Sequence, residues 1–234
     1  MHPIADIFVV GTDTGVGKSI VSLLLMQLLF SKGYLPFYLK PCQTGCADPH
    51  AADSDAKFIY DHAPALRGLD PAQSVIYCLP EPKAPYFAAL KAGVGIDLAT
   101  IRRVAGEKRV QYSPLVIEGA GGLLVPVTGS VMVADVIKEL SCSPLLVARA
   151  GLGTINHTLL SIEALRRRRI EPLAVLFVDT GEIAANQDLV AENIRAVEMF
   201  SGVTVAGVIG HIDDCRNPPA SVSGILERVL ALAV

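Results

Sequence analysis

The sequence predicts an α/β fold in one domain over residues 1–234: a doubly wound, mainly parallel sheet of about seven strands with helices on both faces. Three observations carry this. Short β-branched runs alternate with longer helical patterns, which implies right-handed crossovers between parallel strands. Several of the short runs are apolar throughout, with no period-two alternation, as strands covered on both faces require. Hydrophobic residues make up 51% of the chain and charged residues 18%, enough apolar material for a large core and too little charge for disorder.

The first strand is the apolar run 7–10, ended by Gly11. Residues 17–32 follow as a helix that is apolar almost all round and closed by Gly33, so neighbours must cover most of its sides. Further strands are expected at 37–39, 75–77, 115–117, 145–148, 174–178 and 203–209. Helical patterns fall at 55–61, 98–106, 132–140, 156–167, 188–200 and 222–232, with Asp97 placed to cap the second. Residues 79–85 hold three prolines and read as a stiff loop, a rim or a plain connector.

Composition narrows the function. A net charge of −3 disfavours a nucleic-acid binder. No apolar run approaches the roughly 18–20 residues of a membrane span. The first six residues lack a basic segment and the apolar run 7–10 is too short for a signal peptide, so a cytoplasmic location is expected. Cys42, Cys46, Cys78, Cys142 and Cys215 are scattered and odd in number, which reads as reduced thiols.

The strongest chemical signal is Gly11-Thr12-Asp13-Thr14-Gly15-Val16-Gly17-Lys18-Ser19, between a strand and a helix. Glycines let successive N–H groups turn inward as an anion nest, and the helix start adds free donors and partial positive charge. Lys18 would then reach the β- and γ-phosphates and the Ser19 hydroxyl would ligate magnesium, the arrangement of a P-loop nucleoside triphosphatase. The spacing is one residue long: five residues separate Gly11 from Gly17, and Thr12 stands where the first glycine would be.

Lys40, in Tyr38-Leu39-Lys40-Pro41-Cys42-Gln43-Thr44-Gly45, sits at the carboxyl end of the second strand, the edge where open α/β sheets bind ligands. It reads either as an exposed turn or as a second cation for a transferred phosphate. Glu118, in Val116-Ile117-Glu118-Gly119-Ala120-Gly121-Gly122, follows a buried strand, where P-loop enzymes place a metal-side carboxylate. Asp55 opens a helix and reads as an acid on the helix dipole or as a magnesium ligand. Residues 151–157 again run from a buried strand into a helix whose free N–H groups suit a carboxylate.

In this order and at these spacings the three motifs resemble the dethiobiotin synthetases, a family of P-loop ATP-dependent ligases, from about residue 7 to residue 180. Ser54-Asp55, Glu81-Pro82-x-x-Pro85 and Gly153-Thr154-Ile155-Asn156-His157 support the likeness. The resemblance implies that 7,8-diaminononanoate takes up CO2 (from bicarbonate) as a carbamate. A carbamate oxygen attacks the γ-phosphate of ATP, and the second amine closes a cyclic urea. It implies Lys18, Lys40 and Thr14 as catalytic residues and Ser19, Asp55 and Glu118 as holders of Mg2+. Gly15, Val16, Gly17, Lys18, Ser19, Ile20, Glu118, Gly119, Ala120 and Gly121 would surround the nucleotide, with Asp179, Gly210, His211 and Ile212 at its base. Thr14, Lys40, Thr44, Gly121, Gly153, Thr154 and Asn156 would meet the substrate, in a homodimer.

Two positions depart from the family pattern. Asp179-Thr180 stands where members commonly carry Asn-Asp, and an Asp offers only acceptors to the base. Ile209-Gly210-His211-Ile212 lacks the proline common in the later base-contacting turn. Weak selectivity for adenine is therefore expected. The alternative, a regulatory or partitioning ATPase switch, usually carries a second lysine early in the loop, where this chain has Asp13. A membrane-targeting member would also end in a basic amphipathic helix, and residues 225–230 have little basic character.

Overall fold

The computed structural model describes residues 3–179 and 187–234. Among these, seven strands form one sheet in the order β3-β2-β4-β1-β5-β6-β7, every neighbouring pair parallel. The strands are β1 (Ile7–Gly11), β2 (Phe37–Thr44), β3 (Val75–Leu79), β4 (Leu115–Gly122), β5 (Ser143–Arg149), β6 (Ala174–Val178) and β7 (Val205–Ile209). The helices are α1 (Lys18–Ser31), α2 (Asp55–His62), α3 (Pro85–Ala92), α4 (Leu98–Arg109), α5 (Val133–Leu140), α6 (Thr154–Arg166), α7 (Gln187–Ser201) and α8 (Ala220–Leu232).

Each face of the sheet carries its own apolar layer. Residues of α1, α2 and α8 pack with Ile7, Val9, Tyr38 and Val116 on one face. Those of α4, α5, α6 and α7 pack with Phe8, Val10, Leu39 and Ile117 on the other. The alternation along β1 follows from the two-residue period of a strand. Both layers need apolar side chains, which is why β1 is buried at every position and reads as a continuous apolar run. The nearly all-round apolar α1 is covered by strands beneath and by α2 and α8 beside it.

The winding positions the site. From β1 the chain moves outward through β2 and β3, returns to place β4 between β1 and β2, then continues through β5, β6 and β7 on the other side. The direction reverses at β1 and β4, and ligands of open α/β sheets bind in the crevice beyond such a reversal.

Several boundaries differ from the sequence reading. β2 and β4 run on to Thr44 and Gly122, so Lys40 and Glu118 lie inside strands rather than just after them. The last strand begins at Val205, and α6 begins two residues early, at Thr154. The stiff loop ends in a helix that the sequence reading did not contain: α3 starts with Pro85 in its first turn and stops at Gly93, whose φ is 67°. Asp97 caps α4 as expected, accepting from the N–H groups of Ala99 and Thr100 at 3.1 Å.

Leu25 in α1 is fully buried, whereas Leu152 is 90% exposed. Leu25→Ala should therefore lower the unfolding free energy by about 2–5 kcal/mol, and Leu152→Ala should change it by less than about 0.5 kcal/mol. Equilibrium denaturant unfolding of both variants checks this.

Candidate active site

The site begins where two strands part. The ladder between β2 and β4 ends with Leu39 opposite Ile117. Pro41 has no N–H to extend it, and from Lys40 onward β2 pairs with β3 alone. Lys40 lies two residues beyond Tyr38, and Glu118 two beyond Val116. Both therefore project to the face on which α1 and α2 begin. The starts of those helices bring Ser19 and Asp55 to the same point.

Lys40 Nζ donates to Glu118 Oε1 at 2.8 Å and to Asp55 Oδ2 at 2.7 Å, with the Gly119 carbonyl at 3.4 Å. Ser19 Oγ lies 2.8 Å from Asp55 Oδ1 and 2.9 Å from Glu118 Oε1. Its single proton serves one carboxylate at a time. Tyr38 donates its phenol to Glu118 Oε2 at 3.0 Å, and Gln43 Oε1 accepts the N–H of Asp55 at 3.2 Å. Lys40 and Glu118 are 3% and 1% exposed, so neither charge is carried by water.

On the other side of Ser19 the phosphate loop is formed as expected. Gly17 has φ 95°, and a Cβ there would stand 2.8 Å from Val178 Cγ1, so backbone angle and space both require glycine. The first turn of α1 follows it, with N–H groups that have no partner within the helix. Lys18 Nζ curls back over the loop and donates to the Asp13 carbonyl at 3.1 Å.

Burial opposes the Lys40 charge, but Glu118 and Asp55 outweigh it and hold the amine above the ordinary lysine range. Burial dominates at Lys18 and, with repulsion from Lys40, pulls its amine below that range against the attraction of Glu118. Burial opposes the Asp55 charge, but Lys40, with Ser19 and Lys18, outweighs it and holds the carboxyl below the ordinary carboxylate range. Burial and the adjacent Glu118 raise the Tyr38 phenol far above its usual range, so it stays a donor.

Lys18, Lys40, Asp55 and Glu118 line a cavity of about 710 Å³. Of the residues expected from the sequence, it gathers Thr14, Gly15, Gly17, Lys18, Ser19, Ile20, Lys40, Thr44, Asp55, Glu118, Ala120 and Gly121. Val16 is fully buried behind the loop. Gly119 backs the cavity, and a Cβ on it would meet the Phe8 ring at 3.0 Å. Asp179, whose N–H donates to the Ile209 carbonyl at 2.8 Å, follows β6, and Gly210, His211 and Ile212 follow β7. None of the four lines the cavity, and Thr180 lies outside the described residues.

Gly153, Thr154 and Asn156 also stand apart from the cavity, at the start of α6. The Thr154 side chain is buried with its hydroxyl 3.3 Å from that of Thr158, which leaves only its backbone for a ligand. Tyr38 and Gln43 were given no role by the sequence, although both belong to the quoted Lys40 motif. The two-residue spacing of Tyr38 and Lys40 was the available signal for the first. The loop after β3 forms a lip of the cavity through Pro82, Lys83, Ala84 and Pro85, the rim rather than a plain connector.

Ser19 Oγ and the two carboxylates are hard oxygen donors of the kind Mg2+ takes, with waters and phosphate oxygens completing its shell. Among the described residues no group of three or more His, Cys, Asp and Glu is arranged to hold an ion.

A family model described as an AAA domain matches residues 5–219. The ATP-dependent dethiobiotin synthetase BioD of Paramagnetospirillum magneticum is 38% identical over 203 residues, covering 87% of this chain and 86% of the relative. That of Haloferax mediterranei is 40% identical over 225 residues, covering 96% and 91%. Among solved structures, the cell division ATPase MinD of Pyrococcus furiosus superposes with a TM-score of 0.52 at 16% identity, over 97% of this chain and 90% of that one. At that identity the last likeness shows a shared fold alone. The P-loop geometry and the extended sequence identity together place this chain in the ATP-dependent dethiobiotin synthetase family.

Proposed function

We propose that residues 1–234 act as one ligase domain that closes 7,8-diaminononanoate and CO2 into the cyclic urea of dethiobiotin, with ATP converted to ADP and phosphate, in the cytoplasm. The observation that carries this is the meeting of Lys18, Lys40, Ser19, Asp55 and Glu118 at one cavity beside the phosphate loop. The reaction must bring two anions, a carbamate and a triphosphate, into contact. A wall of buried cations and free N–H groups lowers that barrier.

The N–H groups of the first turn of α1 would hold phosphate oxygens. Lys18, released from the Asp13 carbonyl, would follow the transferring γ-phosphoryl group. Lys40 would neutralise the carbamate oxygen as it attacks phosphorus. The second amine then attacks the carbonyl carbon and phosphate leaves. Thr14, Thr44 and Gly121 line the space left for the diamine. Ser19, Asp55 and Glu118 would hold Mg2+, which supplies charge neutralisation at the phosphates. Gly153 and Asn156 are exposed next to Leu152 and lie outside the cavity. They fit a homodimer in which a second chain contributes to the substrate site.

Phosphate release measured with bicarbonate, Mg-ATP and the diamine tests the reading. Release should require the diamine; ATP hydrolysis of equal rate without it would point to a switch. Lys18→Ala should lower turnover by more than about a thousandfold, ~4 kcal/mol, with its unfolding midpoint kept. Lys40→Ala should lose turnover to the same extent and also destabilise the fold by about 3 kcal/mol, because it strands a buried carboxylate.

The Asp179 carboxylate leads to a second expectation. Comparison of kcat/KM for ATP, GTP and CTP should give ratios below about a thousand, ~4 kcal/mol. A larger preference for ATP would refute relaxed base selectivity.

A further inference from the structure

The acid pair of the site faces two groups at once. Asp55 turns Oδ2 to Lys40 and Oδ1 to Ser19, while Glu118 Oε1 serves both. A divalent cation seated between Ser19 and the two acids therefore meets Glu118 Oε1, the oxygen beside Ser19 on which the Lys40 ammonium already sits. An ammonium has three protons to donate. Lys40 has three acceptors within reach: Asp55, Glu118 and the Gly119 carbonyl. Bound in this way, it has no donor left for an anion in the cavity.

We infer that Lys40 is the resident counter-ion of the Asp55–Glu118 pair and is exchanged for the divalent cation. Cation binding frees the ammonium, which turns into the cavity to meet the anionic reactants. Two contacts allow the acids to stay in place through the exchange. Tyr38 holds Glu118 by its other oxygen, and Gln43 holds Asp55 by its backbone N–H. Lys40 thus becomes available to a carbamate or phosphate only after the cation is seated, which orders the loading of the site. This rests on the ligase reading of the same residues.

The consequence runs against the usual effect of removing a catalytic lysine: deleting Lys40 should strengthen metal binding. The probe is Mn2+ titrated into the nucleotide-free protein and followed by electron paramagnetic resonance. Lys40→Met should bind Mn2+ at least about tenfold more tightly than the unmodified chain, since a full positive charge near the ion is gone. Lys40→Arg, which keeps the charge, should bind as weakly as the unmodified chain. Adding Glu118→Gln to Lys40→Met should abolish the gain.

Lys40→Gln makes the same comparison if the methionine variant folds poorly, and MgCl2 should raise the thermal midpoint of the neutral variants more than that of the parent. Equal or weaker Mn2+ binding by both neutral variants, or a gain that survives Glu118→Gln, would overturn the exchange. Neither readout involves the diamine, so its failure is separable from failure of the ligase assignment, which the diamine-dependent phosphate release reports.

Discussion

The structure of the site depends on one buried ion pair, between Lys40 and Glu118. Neither side chain reaches bulk water, and an unpaired charge at that depth would cost several kcal/mol. The pair exists because β2 and β4 separate just where their side chains turn toward α1. That separation opens the cavity, and the charges of Lys40 and Glu118, joined by Asp55 and Ser19, fill its floor. A sheet zipped to its end would leave neither the space nor the reason for two buried charges.

Much of this was legible in the sequence, for identifiable reasons. The phosphate loop could be read because its geometry demands Gly17 and its chemistry demands Lys18 and Ser19, so the motif is local. The central strands could be read because burial on both faces removes polar residues from runs such as 7–10. Lys40 and Glu118 were visible as charges at the ends of such runs. Their ion pair was not, since it depends on the register of β2 against β4, set by residues 78 positions apart. The lengths of those strands were underestimated because Pro41 and the glycines after Glu118 look like strand breakers. In the fold they lie where one ladder has already ended, so pairing loses little. The helix α3 went unread although Pro85 and Gly93 mark its two ends, because the prolines before it dominate the local pattern. Roles for Tyr38 and Gln43 required knowing what lies opposite.

The fold alone would not have separated the two functional readings. A cell division ATPase shares the architecture over nearly the whole chain at 16% identity. What distinguishes the readings is the equipment around the phosphate loop. Asp13 takes the place of an early lysine, and a second lysine instead arrives from β2, buried against two acids. A switch needs only to sense whether the γ-phosphate is present. A ligase must also bring a second anion against it, and in the proposed reaction the cavity of about 710 Å³ beside the loop would give that anion and its carbon chain room. Function here resides in side chains placed on a widely shared scaffold.

In the proposed reaction this cavity sets a carbamate oxygen against the γ-phosphorus. The origin of the fourth oxygen on the released phosphate records whether it does. When the diamine and ATP are turned over with 18O-labelled bicarbonate, faster than its label exchanges with water, the oxygen that attacked phosphorus stays on the phosphate. Mass spectrometry of the released phosphate should then show one labelled oxygen per urea ring formed. Phosphate whose new oxygen comes from water would contradict the account.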